Sequence, residues 1–225
     1  MDALLVFLKR PWPGEVKTRM IPALGPQNAA GLYRVLAEAV ARNTRPQAGE
    51  YERLLFFAPK EAEGEIASWW PGEVLVAQEG ADLGARLTHA FRVAFEKGAR
   101  RAAVIGTDAP WVGKEHVLSS WEALETHDLV LGPARDGGYY LMALKGEHPE
   151  LFHEIPWSSP RVLAETTAKA ARLGLGVHLL ETLPDVDTPE DVGEEWDLLL
   201  PLLAQDPPLL EACSPFARRP ARGGR

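Results

Sequence analysis

A chain of 225 residues, 46% hydrophobic and 25% charged, suits one large α/β domain whose core needs neither disulfides nor a structural metal. A net charge of −8 disfavours generic binding to nucleic acid or anionic membranes, and the single cysteine, Cys213, excludes an internal disulfide and a multi-thiolate zinc site. The apolar run at residues 3–8 is too short for a signal-peptide core or a membrane span, so the expectation is a cytoplasmic protein.

Residues 3–8 read as a buried first strand, closed by Lys9 and Arg10. Over residues 28–41, Leu32, Leu36 and Val40 recur at i, i+4 spacing and predict a helix. Strands follow at 53–58 and 74–77, with a helix at 60–70 between them. At residues 83–97, Leu83, Leu87, Phe91 and Phe95 line one helical face. A fourth buried strand at 102–106 leads to a helix near 115–125, then strands at 128–132 and 139–144. The link between these two is too short for a crossover helix, which predicts antiparallel pairing there. A helix at 160–173 capped by Ser158 or Ser159, a strand at 177–180 and a helix at 189–203 complete the pattern. The alternation implies a mainly parallel sheet with helices on both faces, a Rossmann-like domain over residues 1–204. Residues 205–225 read as a flexible tail rich in proline and arginine.

In such sheets ligands sit beyond the carboxyl ends of the strands. The loop after strand one, residues 9–19, carries Lys9, Arg10, Lys17 and Arg19, with Gly14 following Pro13. Arg10, Lys17 and Arg19 suit phosphate, and Gly14 lets the backbone approach it closely; a solvated basic loop is the simpler reading. Asp108, after strand four in Gly106-Thr107-Asp108-Ala109-Pro110, is placed to hold Mg²⁺ or Mn²⁺, or else to cap a turn. Asp136-Gly137-Gly138-Tyr139-Tyr140 reads as a turn or as a close wall against a sugar or base. Near the end, Thr188, Pro189 and Asp191 fit N-cap, N1 and N3 of a helix, while Asp185 and Asp187 lie just before it. Asp108 and Asp187 both reach the carboxyl edge of the sheet. Two neighbouring carboxylates repel unless a cation lies between them, and a metal is the expected partner. On that basis Asp108→Asn is expected to relieve repulsion in the metal-free protein.

Taken in order, residues 7–20, 80–86, 106–110, 132–140, 157–159 and 185–191 resemble the DUF2064 family of glycosyltransferase-like proteins, within the GT-A or nucleotide-diphospho-sugar transferase superfamily. The resemblance implies a GT-A fold, nucleotide binding near the first loop with Asp82 and Arg86 from the second segment, and a metal on the aspartate after the central strand. It departs from GT-A glycosyltransferases in lacking a DxD pair: Thr107-Asp108-Ala109 stands there. The single aspartate before a proline is closer to nucleotidyltransferases that make precursors of the molybdenum cofactor and related cofactors. Yet the glycine-rich opening of those enzymes is absent.

The leading expectation is therefore a metal-dependent glycosyltransferase with a nucleotide-sugar donor and a small-molecule acceptor. Asp108 and Asp187 would hold Mg²⁺ or Mn²⁺, Asp136 would be the acceptor base, and Gly137, Gly138, Tyr139 and Trp157 would line the acceptor side. A nucleotidyltransferase that uses NTP and releases pyrophosphate is the alternative, and a non-catalytic nucleotide-binding regulator is the third.

Overall fold

The computed structural model describes residues 1–217. Seven strands form one sheet: β1 (Asp2–Lys9), β2 (Glu52–Ala58), β3 (Val74–Ala77), β4 (Arg101–Ile105), β5 (Leu129–Pro133), β6 (Tyr139–Leu144) and β7 (Val177–Leu179). Their order is β3-β2-β1-β4-β6-β5-β7, and all neighbours are parallel except β6, which runs antiparallel to β4 and β5. The antiparallel strand follows from the short 134–138 link, as the sequence implies. Among the described residues eight α-helices accompany the sheet: α1 (Ile21–Asn43), α2 (Glu63–Trp69), α3 (Leu83–Glu96), α4 (Lys114–Ala123), α5 (Val162–Arg172), α6 (Pro189–Glu194), α7 (Trp196–Leu203) and α8 (Pro207–Cys213). None of the described helices is long and apolar enough to cross a membrane.

The central strands are apolar on both faces because helices cover both. Leu4, Val6, Leu55, Phe57, Ala103 and Ile105 point to one face, where Ile66 of α2 and Val117 and Trp121 of α4 meet them. Leu5, Leu54, Phe56, Val104 and Met142 point to the other, under Leu87, Phe91 and Ala94 of α3. Full burial of each large side chain contributes about 1.5–3 kcal/mol. A third cluster joins Leu32 and Leu36 of α1 to Val192, Leu199, Leu203, Leu209 and Cys213 of α6, α7 and α8.

Four elements differ from the sequence reading. Helix α5 begins at Val162 with Arg161 as its N-cap and no side-chain cap, so neither Ser158 nor Ser159 caps it. Helix α1 begins earlier, at Ile21, and is interrupted at Gly25 (φ 75°), just before Pro26. The expected helix at 189–203 is two helices, broken at Glu195, whose buried carboxylate is bound by Arg135. Residues 205–217, read as the start of the tail, include α8; Asp206 caps it through the Leu209 amide (3.1 Å), and Leu209 and Cys213 are buried. The tail arginines Arg218, Arg219, Arg222 and Arg225 lie outside the described residues.

The turn before β6 shows why its glycines are needed. The Gly138 amide donates to Asp136 Oδ1 (2.7 Å). Gly137 has φ +89°, and a Cβ there would collide with the backbone of Pro160, just ahead of α5. Its close approach is thus to protein. Gly98 also has a positive φ (+87°) but open space around it. Gly137→Ala is therefore expected to cost about 1–3 kcal/mol more than Gly98→Ala, because crowding adds to the strain both share. Urea unfolding of the two variants measures the difference, and equal losses would remove Pro160 from the explanation.

Candidate active site

At the carboxyl ends of β1, β3 and β4 lies a cleft of about 600 Å³. Its lining comes from the end of β1, residues 15–19 of the first loop, Tyr33 of α1, Gln78, the first turns of α3, residues 104–108, Tyr139, Ser158 and Asp187. Lys17, Arg19, Arg86, Asp108, Tyr139 and Asp187, picked out in the sequence, are brought together here.

The centre of the site is an ion triad. The Lys17 side chain is only 2% exposed, and its ammonium donates to Asp108 Oδ1, to Asp187 Oδ1 (2.7 Å) and to the Val186 carbonyl (2.6 Å). An ammonium has three donors, so all of them are used. Lys17 adopts a left-handed backbone (φ 46°) at the start of the 3₁₀ turn Thr18–Met20. Burial disfavours its charge, but the two carboxylates outweigh burial and hold its pKa above the ordinary lysine value. Burial likewise raises Asp187, but Lys17 and then Arg19 bring its pKa below the usual carboxylate value. The cation expected between Asp108 and Asp187 is thus Lys17 itself. The repulsion expected of the metal-free pair does not arise, and Asp108→Asn strips a buried ammonium of a partner instead of relieving strain.

Backbone geometry fixes the triad. The Val186 amide donates to the Asp108 carbonyl (3.0 Å), which ties the segment before α6 to the tip of β4. Thr188 caps α6, as its sequence context implies, and Asp191 completes a capping box. Asp191 Oδ2 accepts from the Thr188 amide (2.7 Å) and also from the Asp187 amide (2.8 Å), so the cap positions Asp187.

With Lys17 committed to carboxylates, the cations among the described residues that line the cleft and can face an anion there are Arg19, 64% exposed on its side chain, Arg86 and Lys9. Arg19 lies 3.8 Å from Asp187 Oδ2, and Arg86 Nε donates to the Gly80 carbonyl (3.2 Å). Asp108 and Asp187 remain accessible, with side chains 52% and 36% exposed.

Other sequence candidates lie elsewhere. Arg10 pairs with Glu15 (2.8 Å) and Glu65 (3.3 Å) and stacks over Trp12. Gly14 supplies a positive φ (92°) in the loop and does not line the cleft. Asp82 caps α3 through the Ala85 amide (2.8 Å). Trp157 lines a neighbouring cavity with Asp82, Gly84 and His89. Asp136 is exposed and shares a separate depression with Arg19, Asp185 and Asp187, and it does not line the cleft. Tyr140 belongs to the core, its ring packed against Gly132, where a Cβ would collide with it.

Two cleft residues, Tyr33 and Gln78, are absent from the sequence candidates. The Tyr33 hydroxyl accepts from the Lys9 amide (2.6 Å) and Thr107 Oγ1 (3.2 Å); burial, then the Asp108 charge, push its pKa up to about 12 despite these bonds. In sequence it is one more apolar-looking position of α1. Gln78 follows β3, and its amide nitrogen donates to the Leu8 and Phe56 carbonyls (3.2 and 2.8 Å). Two backbone acceptors fix the amide orientation and leave the side-chain oxygen as an acceptor at the cleft. A polar residue at a strand's carboxyl end was the available clue.

The fold and cleft define an α/β protein of the nucleotide-diphospho-sugar transferase type. The chain belongs to the family described as "uncharacterized protein conserved in bacteria" (DUF2064), whose model matches residues 40–159. It is similar to a crystallised protein of Desulfovibrio desulfuricans, provisionally designated a nucleotide-diphospho-sugar transferase, at 28% identity and a TM-score of 0.85 over 97% of this chain and 99% of that one. It is also 28% identical, over 109 residues, to the 2-phospho-L-lactate guanylyltransferase of Methanocaldococcus jannaschii; the match spans about half of each chain (48%). Molybdopterin-guanine dinucleotide biosynthesis protein A of Archaeoglobus fulgidus shares the fold, with a TM-score of 0.54 and 13% identity over 89% of this chain and all (100%) of that one.

Two outcomes follow from the groups around Asp187. Asp191→Ala removes the capping box and the acceptor for the Asp187 amide, and is expected to lower stability by about 0.5–2 kcal/mol in urea melts. Asp185 has its pKa raised to about 6, by burial first and then by Asp136 and Asp187. An acid with a raised folded pKa binds its proton more tightly when folded, so stability falls as pH rises from about 4 to above 6. Asp185→Asn should therefore melt higher than the parent above pH 6 and level with it near pH 4. Melting curves across that range test the assignment.

Proposed function

We propose that the chain is a metal-dependent transferase whose donor is a nucleotide sugar. The observation that carries this reading is the pairing of Asp108 and Asp187 at the mouth of a cleft walled by Lys9, Arg19 and Arg86. The likeness to the Desulfovibrio protein, which runs nearly the length of both chains, supports it.

The donor set suits Mg²⁺ or Mn²⁺. Both side chains offer hard oxygens, and each gives only Oδ1 to Lys17. Such ions are commonly held by one or two carboxylates, with phosphate oxygens and water filling the remaining positions. When bound, the ion would supply charge neutralisation on the departing phosphate. Arg19, Arg86 and Lys9 would share the diphosphate, and the Gln78 oxygen would accept a hydrogen bond from a donor on the base. Tyr139 would flank the acceptor. In glycosyl transfer the bond from the anomeric carbon to the diphosphate breaks, an acceptor oxygen forms the new bond, and the acceptor proton leaves to a base; Asp136, the base expected from the sequence, lies outside the cleft lining and is not assigned that role. The rate then rests mainly on positioning and charge stabilisation.

The Methanocaldococcus relative favours a second reading, nucleotidyl transfer from an NTP, in which the acceptor attacks the α-phosphate and pyrophosphate leaves. A thermal-shift panel of UDP-glucose, GDP-mannose, GTP and CTP, each with and without Mn²⁺, separates them when joined to product analysis. Ligand at a hundred times its Kd stabilises by about 2.7 kcal/mol. The expected result is a Mn²⁺-dependent shift with a nucleotide sugar, slow release of nucleoside diphosphate, and loss of both in Asp108→Asn. Stabilisation by NTP alone with pyrophosphate release would transfer the case to the second reading, and no shift with any of the four would count against both.

A further inference from the structure

We infer that the Lys17 ammonium and the divalent ion are alternative occupants of the same carboxylate pair, so that Lys17 leaves Asp108 and Asp187 when the ion binds. This rests on the reading that those two carboxylates hold the metal.

The case is one of geometry and charge. Lys17 spends all three of its donors inside the protein, on Asp108, Asp187 and the Val186 carbonyl. In the metal-free protein it neutralises the pair from within. A divalent ion on the same two side chains would stand beside a like charge that is itself buried, and the two would repel. Lys17 has somewhere to go, because it lines the cleft. Its backbone need not follow. The Met20 amide donates to the Lys17 carbonyl (2.8 Å), and the turn Thr18–Met20 begins there, so rotation about the four-carbon stem suffices. Once released, the ammonium is a mobile cation on the wall where a donor's phosphates would lie. Entry of the ion thus arms a phosphate-binding lysine that is otherwise held back. The competing arrangement keeps Lys17 in place, with the ion on the outer carboxylate oxygens alone.

Mn²⁺ titrations without nucleotide, followed by the paramagnetic resonance signal of the free ion, distinguish the two. The proteins are the parent chain, Lys17→Met, Asp108→Asn and the double variant Lys17→Met/Asp108→Asn, each checked for folding by circular dichroism. Lys17→Met is expected to bind one Mn²⁺ at least ten-fold more tightly than the parent, with the gain lost in the double variant. Equal or weaker binding in Lys17→Met, with binding in the parent still dependent on Asp108, overturns the exchange and leaves the metal reading standing. Binding that ignores Asp108 in every protein overturns the metal reading and the exchange with it. A second measurement uses the unaltered chain and remains decisive should Lys17→Met fail to fold. Reductive methylation with formaldehyde and borohydride, read by peptide mass, should spare Lys17 in the metal-free protein and label it at saturating Mg²⁺. Protection that persists at saturation means that Lys17 stays where it is and the inference is wrong.

Discussion

The ammonium of Lys17 sits where three chain segments meet, and the site depends on it. Asp108 lies early in the loop after β4, Val186 and Asp187 lie before α6, and Lys17 itself belongs to the loop after β1. Without a cation, two carboxylates this close would oppose the packing that brings them together. With it, the backbone bond from Val186 to Asp108 and the clamp of Asp191 on the Asp187 amide can form without electrostatic opposition. Removing either carboxylate takes a partner from an ammonium that is itself buried, which disfavours its charge. Lys17 is therefore part of the frame, and the cations that face the cleft are its neighbours.

The sheet decides where this frame stands. β1 and β4 are adjacent and parallel, so the loops carrying Lys17 and Asp108 leave the same edge side by side. The switch of direction at β6 lets the chain return over the sheet, and β7, parallel to β5, delivers the 183–187 segment to that edge. Bonds between Leu183 and Pro133 and between Arg135 and Leu183 fasten the segment along the end of β5 (3.0 and 3.2 Å). The cleft is thus built from backbone pairing first and side-chain charge second.

Much of this was legible in the sequence, for identifiable reasons. Apolar runs between amphipathic stretches located the strands, and the short 134–138 link implied the antiparallel one. Asp108 and Asp187 could be placed at one edge because a carboxylate following a buried strand has few other destinations. The cap at Thr188 followed from local chemistry alone. The partner of Lys17 was not legible. A lysine in a basic loop reads as facing solvent or ligand, and only tertiary structure brings it to Asp187. Asp82 and Gly137 illustrate the converse: motifs that attract a functional reading serve a helix cap and a crowded turn. Tyr33 was hidden because helical periodicity explains an aromatic residue without reference to its hydroxyl. The break at Glu195 was hidden, and so was its partner, because Arg135 is distant in sequence.

The reach of the triad along the chain sets a limit on dissection. Lys17 is 91 residues from Asp108 and 170 from Asp187. Contacts of such separation close long loops and are expected to consolidate only after the local helices and hairpin have formed. The stretch by which the family is recognised, residues 40–159, contains Asp108 but neither Lys17 nor Asp187. What identifies this lineage in a sequence is therefore not a unit that could be excised and still assemble the centre. A truncation from the N-terminal side that removes Lys17 leaves two carboxylates without their shared cation, and one from the C-terminal side that removes Asp187 leaves the Lys17 ammonium with one carboxylate partner fewer, so the earliest and the latest parts of the described chain are bound to a common fate.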